Sequence, residues 1–427
     1  MALTTLIGLI IFLAVIVIGV PIAFAMGAVS IIGLQSLGSN LMSLPQKMFA
    51  GIDTFTYLCI PLFILASEIM SRCGLIQSIV NFCDALVGHI RGGLAHVNVL
   101  ASMLFAGISG SATADATGLG RIEMEMMNRA GYEKEYSASV TAASAIIGPI
   151  IPPSNIMIIY AVCAGNVSVS NMFLGGMIPG IILGLSEMGL CYYYAIKYNH
   201  PRNPRKTFKQ KLLITAEALP ALGLPIIILG GIITGWFTAT ESSAIAVVYA
   251  LIVAICRKKI TWKGFFQCCK SAARSTAAVM LIIAIASAMG YTVTIMRIPQ
   301  TLVAFFMDFI NSKAAFLLFV NVLLLILGMI MDQAPALLIM VPILLPIANA
   351  FGINPLHFGL ICCFNLTIGL ITPPVGMTLF VTSNVAQVKL TDLFKKIIPF
   401  CFIGIFVLIL ITWIPSLVTW LPGLITK

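Results

Sequence analysis

"IGPIIPPSNIM", residues 147–157, sets two adjacent prolines inside a long apolar run, and the phrase returns at residues 368–378 as "IGLITPPVGMT". Proline has no amide hydrogen and its ring clashes with the preceding turn, so a pair opens the helix that contains it. One opened helix is common in a membrane protein and often does no more than bend it. Here the surroundings repeat as well. "FAGISGSATAD" (105–115) aligns without a gap with "ILGMIMDQAPA" (326–336), pairing Gly107 with Gly328, and "LASEIM" from Leu65 matches "IASAMG" from Ile285 with a small shift.

The chain that carries this duplication has 427 residues, 60% hydrophobic and 9% charged, with a mean hydropathy of +1.08. Its uninterrupted apolar runs reach the 20 or so residues that cross a bilayer, so the fold class is an all-α polytopic membrane protein. A net charge of +10 raises the question of nucleic acid. The basic residues sit in short loops between apolar runs, however, where retention of Lys and Arg in the cytoplasm accounts for them. Eleven cysteines and four histidines form no CxxC and no ligand cluster, and most of the cysteines lie inside apolar runs as small buried thiols. The run at 3–20 lacks a basic leader and continues into more membrane sequence, which reads as a first span.

"KYNHPRNPRKTFKQK" (197–211) has six cations and no acid, and "CRKKITWK" (256–263) is the next basic loop; both belong in the cytoplasm. Working from these anchors, crossings are expected at 3–20, 22–38, 57–72, 137–165, 171–196, 212–235, 238–256, 275–296, 356–386 and 397–421. Both termini then face away from the cytoplasm. The stretches 94–118 and 314–346 upset the charge balance as single crossings and read as re-entrant hairpins. On this topology the double-proline helices run in opposite directions, so the duplication is inverted, as in secondary transporters. The expected organisation is scaffold spans at 1–56, a first transport repeat at 57–165, scaffold spans at 166–274, a second repeat at 275–386 and a last span at 387–427.

An opened helix frees carbonyl oxygens and presents half-helix ends, which hold an anionic group and a desolvated cation without placing a formal charge in the bilayer. Ser154 and Asn155 flank the first break, Thr372 and Thr378 the second. The hairpin tips add Ser109, Ser111 and Thr113 in the first copy and Asp332 and Gln333 in the second. Asp115 is the one charge between Arg91 and Arg121, and Asp332 the one between Lys313 and Lys389. Isolated intramembrane acids are costly and point to function, the plain alternative for both being a helix cap. Elsewhere, Glu68 and Arg72 have the spacing of a helical ion pair. "RIEMEMMNRAGYEKEY" (121–136) reads as a solvated connection, Glu187, Glu217, Glu241 and Arg297 as packing partners or functional groups, and Trp413 and Trp420 as interfacial anchors.

With these residues in place, the chain resembles the large membrane subunit of tripartite ATP-independent periplasmic (TRAP) transporters, with the sialic-acid type favoured. The resemblance covers nearly the whole length through "GISGSATADATGLG", "GYEKEYSASVTAASAIIGPIIPPSNIMIIYA", "GWFTATESSAIAVVYAL", "MDQAPALLIMVPILLPIA" and "FNLTIGLITPPVGMTLFV". Ala239 departs from it, standing where the family often has proline. The resemblance implies an inverted-repeat elevator in the bacterial inner membrane. It further implies a separate small four-helix membrane subunit, and a soluble periplasmic binding protein that delivers an organic acid, commonly a sialic acid or a C4-dicarboxylate. Two or more Na+ ions would drive uptake. The family's ion sites, carried onto matching positions, fall at Ser109, Ser111, Gly148, Pro153 and Ser154 and at Gly328, Gly369, Thr372 and Val375. Substrate contacts are expected from Thr113, Asp115, Asn155, Asp332, Gln333 and Thr378. The competing reading is a stand-alone divalent-anion/Na+ symporter or ion exchanger of the same hairpin plan. An intramembrane enzyme has no supporting constellation, since the sequence has no HExxH, no GxSxG and no paired catalytic acids on one helix.

Overall fold

The computed structural model describes residues 20–310 and 312–425; the span expected at 3–20 falls almost wholly outside them. The described residues are helical with no strand, and eight helices among them are long and apolar enough to cross a membrane. The chain begins with α1 (Ile22–Ser36), α2 (Ser43–Ile52), α3 (Cys59–Arg72, entered through a 3₁₀ turn at Phe55–Leu58) and α4 (Leu75–Val87). The first repeat continues as α5 (Gly93–Ser109), α6 (Ala112–Thr117), α7 (Leu119–Arg129), α8 (Lys134–Ala145) and α9 (Asn155–Ala164). A middle group follows: α10 (Val169–Lys197), α11 (Phe208–Ile233), α12 (Ala239–Cys256), α13 (Trp262–Ile295) and α14 (Ile298–Phe309). The second repeat ends in α15 (Lys313–Ile330), α16 (Gln333–Ala350), α17 (Pro355–Gly369) and α18 (Met377–Ala386), before α19 (Leu390–Trp413) and α20 (Ser416–Ile425).

An outer group forms where α1, α2 and α3 pack along α13, α3 also on α12, and α4 on α11. Thr207 and Thr238 start α11 and α12 with complete capping boxes, in which Gln210 and Glu241 return the bond to the cap amide. Glu241 therefore has a structural use. Only 22% of the α11 span is buried, so its outer face, with Leu212, Leu213 and Ile226, meets no other part of the described chain.

The basic loop between α10 and α11 is a strap over the root of the first hairpin. Its Pro201 carbonyl accepts from the Gly92 amide at 3.2 Å, and its Asn203 amide donates to Gly88 at 3.0 Å. Asp84 is held by Asn203 Nδ2 and by Lys206 Nζ, each at 2.6 Å. His200 sits among aromatic rings, 4.6 Å from Tyr132 and 4.9 Å from Tyr136, and burial lowers its proton affinity.

Several local expectations change. Glu68 and Arg72 do not pair: Glu68 accepts from Ser271 and Arg72 donates to Gln267, both at 2.7 Å. Both partners lie on α13, whose packing on α3 outweighs an exposed helical pair worth a few tenths of a kcal/mol. Residues 119–129 are a packed helix, α7, with Glu123, Met124 and Met127 buried and only Glu125 and Arg129 forming an exposed pair. The helix expected from 275 begins at Trp262 and is 34 residues long. At 1.5 Å per residue that is about 50 Å, well beyond a hydrocarbon core of about 30 Å. The span expected at 397–421 divides into α19 and α20, with α20 folded onto α10. Trp413 and Trp420 on these two helices are exposed, as anchors require.

Candidate substrate and ion site

The first hairpin turns at Gly110, whose left-handed conformation (φ +62°) ends α5 in the manner of a C-terminal glycine cap. Ser111, in extended conformation, starts α6 by accepting from the Ala114 amide at 3.5 Å. Its hydroxyl lies 3.3 Å from that of Thr113, and the Ser109 hydroxyl donates to the Ser111 carbonyl at 3.4 Å. Behind the tip is the first break. From Ile146 to Gly148 the amides shift to short-range bonds, and Pro152 and Pro153 end the helical ladder. Ser154 restarts it, accepting from Met157 and donating to Pro149. Tip and break touch, since a side chain on Gly110 would collide with the Pro153 carbonyl. Four of the five predicted ion-site residues of this half thus meet around Gly110, while Gly148 lies against the Asp115 carboxyl.

The second half has the same plan with a tighter join. Gly328 near the tip packs backbone to backbone on α17, where an added Cβ would lie 2.9 Å from the Leu366 carbonyl and 3.1 Å from Gly369 Cα. Past the second proline pair, the Gly376 amide donates to the Met329 carbonyl at 3.0 Å, which fastens the turn carrying Thr372 and Val375 to the tip. Thr372 returns its hydroxyl to Ile368 at 2.9 Å. Asp332 caps α16, accepting from the Gln333 amide at 2.9 Å, and Gln333 accepts from Thr367 on α17 at 2.9 Å.

The two halves interlock. The far half of the first broken helix, α9, packs on α16, the returning limb of the second hairpin; the far half of the second, α18, packs on α6, the returning limb of the first. On α6 and α18, which pack on each other, Asp115 and Thr378 are fully buried, yet neither Asp115 oxygen nor the Thr378 hydroxyl completes a hydrogen bond. Asp115 is thus no helix cap. Asn155 opens α9 half-buried. Such neutral hydroxyls and freed carbonyls, with one carboxylate nearby, suit a small hard cation that prefers oxygen ligands. A 460 Å³ cavity lies between α7 and the end of α18, lined by Arg121, Asn128, Arg129 and Val385 among others.

The sequence matches the family described as tripartite ATP-independent periplasmic transporter, DctM component, over residues 9–417. The chain belongs to this family. A sialic acid TRAP transporter large permease protein of Vibrio cholerae is 38% identical over 385 residues, covering 89% of this chain and 90% of that one. A C4-dicarboxylate TRAP transporter large permease protein of Pseudomonas aeruginosa is also 38% identical, over 387 residues and 88% of each chain. Among solved structures, the YdaH transporter of Alcanivorax borkumensis aligns with a TM-score of 0.66 over 87% of this chain and 88% of its own, at 13% identity, a likeness of fold. The chain is a multi-pass membrane transport protein.

For a TRAP large subunit, the sequence concealed two features near the site. Glu123 on α7 is buried with no hydrogen-bond partner, but it stands in a run of mixed charges that reads as solvated. A buried polar chain joins α5 to α8: Asn98 donates to Thr141 at 2.7 Å, Ser144 donates to Asn98 at 2.7 Å, and Ser102 donates to Ser144 at 3.0 Å. Spacing along each helix places these residues on inward faces, but their pairing across helices has no local signal.

Proposed function

We propose that the chain is the permease subunit of a Na+-driven, binding-protein-dependent secondary transporter that imports an organic acid across the bacterial inner membrane. The observation that carries this reading is a pair of hairpin tips each set against a repeated helix break, with Asp115 and Thr378 buried and unpartnered on the packed helices α6 and α18. One coupling ion is assigned to Ser109, Ser111, Gly148, Pro153 and Ser154, a second to Gly328, Gly369, Thr372 and Val375. The substrate carboxylate is assigned to Thr113, Asp115 and Thr378 on the packed helices α6 and α18, and to Asn155, Asp332 and Gln333 at the starts of α9 and α16, the other packed pair. The interlocked repeats move together as an elevator against the outer helices, with both termini in the periplasm. The cavity between α7 and the end of α18, where Arg121 stands beside the paired Glu125 and Arg129, is assigned to release of the anion.

A small four-helix membrane subunit and a soluble periplasmic binding protein complete the transporter, as the family description supports. The cargo proposed is a sialic acid, ahead of a C4-dicarboxylate. Relatives named for each are equally similar to this chain, so the ranking rests on the motif resemblance alone. The test is uptake into proteoliposomes under an inward Na+ gradient, with each acid and with and without the cognate binding protein. Uptake that requires the binding protein and one of these acids supports the proposal. Full-rate uptake by this chain alone transfers it to the stand-alone carriers.

A further inference from the structure

A second charged pocket lies between the end of α3 and the first turns of α13. It has a volume of 280 Å³, and Arg72, Lys259, Lys263, Thr261 and Gln267 line it. None of its three cations has a carboxylate within salt-bridge distance among the described residues. Arg72 gives one guanidinium nitrogen to the neutral Gln267 oxygen and keeps its other donors. Glu68, one turn earlier, is engaged by Ser271. Three converging cations with unused donors are suited to a phosphodiester, whose oxygens accept several charge-assisted bonds at once.

The surroundings say where that phosphodiester sits. Trp262 and Phe266, on the same turns of α13, are 77% and 64% exposed and lie against each other, ring centroids 6.1 Å apart. Exposed aromatics beside cations mark the headgroup level of a membrane. The first part of α13 is also the excess length that the hydrocarbon core does not need, and it carries Lys263, Lys270 and Arg274 without an acid. By its charge this is the cytoplasmic leaflet, where anionic lipids gather and basic pockets between helices bind their headgroups.

We infer that this pocket binds the headgroup of an anionic phospholipid of the cytoplasmic leaflet, with Arg72, Lys259 and Lys263 on the phosphate and Trp262 and Phe266 against the glycerol and upper acyl region. The site lies on the α3–α13 contact of the outer group, so it holds the framework against which the repeats are packed.

The test uses the purified full-length chain in detergent, titrated with phosphatidylglycerol or phosphatidylcholine, with retained lipid read by native mass spectrometry. The expected result is selective retention of phosphatidylglycerol, reduced about tenfold in the triple variant Arg72→Gln, Lys259→Gln, Lys263→Gln. The double variant Lys209→Gln, Lys211→Gln removes basic charge at the start of α11 and retains the selectivity. Equal retention of both lipids by the unaltered chain overturns the inference, as does an equal loss in the two variants. Competition by inorganic phosphate at concentrations matching the lipid makes the pocket a free-anion site and equally overturns it.

Discussion

Gly107 and Gly328 occupy the same place in the two copies of the repeat, yet they meet different neighbours. A side chain on Gly107 would press on Pro225 of α11, 2.6 Å from its Cβ, whereas one on Gly328 would press on the backbone of α17 within its own repeat. At this position the first hairpin meets the outer group, while the second meets its own broken helix; the first tip closes on its break one turn later, at Gly110. The acids differ in parallel. Asp332 spends one oxygen capping α16, while Asp115 is buried with both oxygens unpartnered. Duplication preserves chain position, but a single set of outer helices cannot surround two inverted copies in the same way. In the proposed elevator the Gly107–Pro225 contact has to slide, and the Gly328–Gly369 contact travels intact.

The strongest challenge to this comparison is to fill the two glycines. Gly328→Val meets backbone that cannot yield, and overpacking of this kind costs about 1–3 kcal/mol or more. A clear fall in thermal unfolding temperature in detergent is expected. Gly107→Val meets a proline side chain on another helix, so the fall should be smaller while uptake still drops sharply. The opposite ranking of stabilities would reverse the assignment of fixed and sliding contacts. Next in size are the acids. Asp115→Asn should lower initial uptake at least about tenfold, near 1.4 kcal/mol, at unchanged membrane abundance. Asp332→Ala should lower uptake and also remove a cap worth about 1 kcal/mol. Asp332→Asn, which still caps, should restore the stability and leave uptake low; recovery of both would reduce Asp332 to a structural role. The smallest stability effect is expected at Ser154→Ala, a loss of about 1 kcal/mol of helix stability, alongside the lower Na+-driven uptake that follows from removing a hydroxyl of the first ion site. The second break has no counterpart, because Gly376 starts α18 without a side-chain cap.

Features with a local cause were legible in the sequence. The breaks follow from Pro152, Pro153, Pro373 and Pro374, and the tips from small residues around Gly110 and from the Asp332 cap, so both hairpins and both opened helices could be placed from spacing alone. Features set by distant contacts were not. The exchange of α9 onto α16 and α18 onto α6 depends on surfaces far apart in the chain. Arg72 took Gln267 over Glu68 for the same reason. Glu123 was hidden because its neighbours Arg121 and Glu125 face solvent, and the early start of α13 because its cations looked like a loop. Among the site residues, Gln333 also accepts from Thr367 on α17, a partner that no local pattern signals.

The central claim is that two unlike halves, each a tip against a break, hold one coupling ion apiece. It is tested most directly by the Na+ dependence of initial uptake in proteoliposomes, for the unaltered chain and for Ser111→Ala. The account predicts a cooperative dependence, with a Hill coefficient above one, that becomes hyperbolic when the first half is disabled. Uptake that runs at full rate with K+ in place of Na+, or a Na+ dependence unchanged by Ser111→Ala, would contradict it.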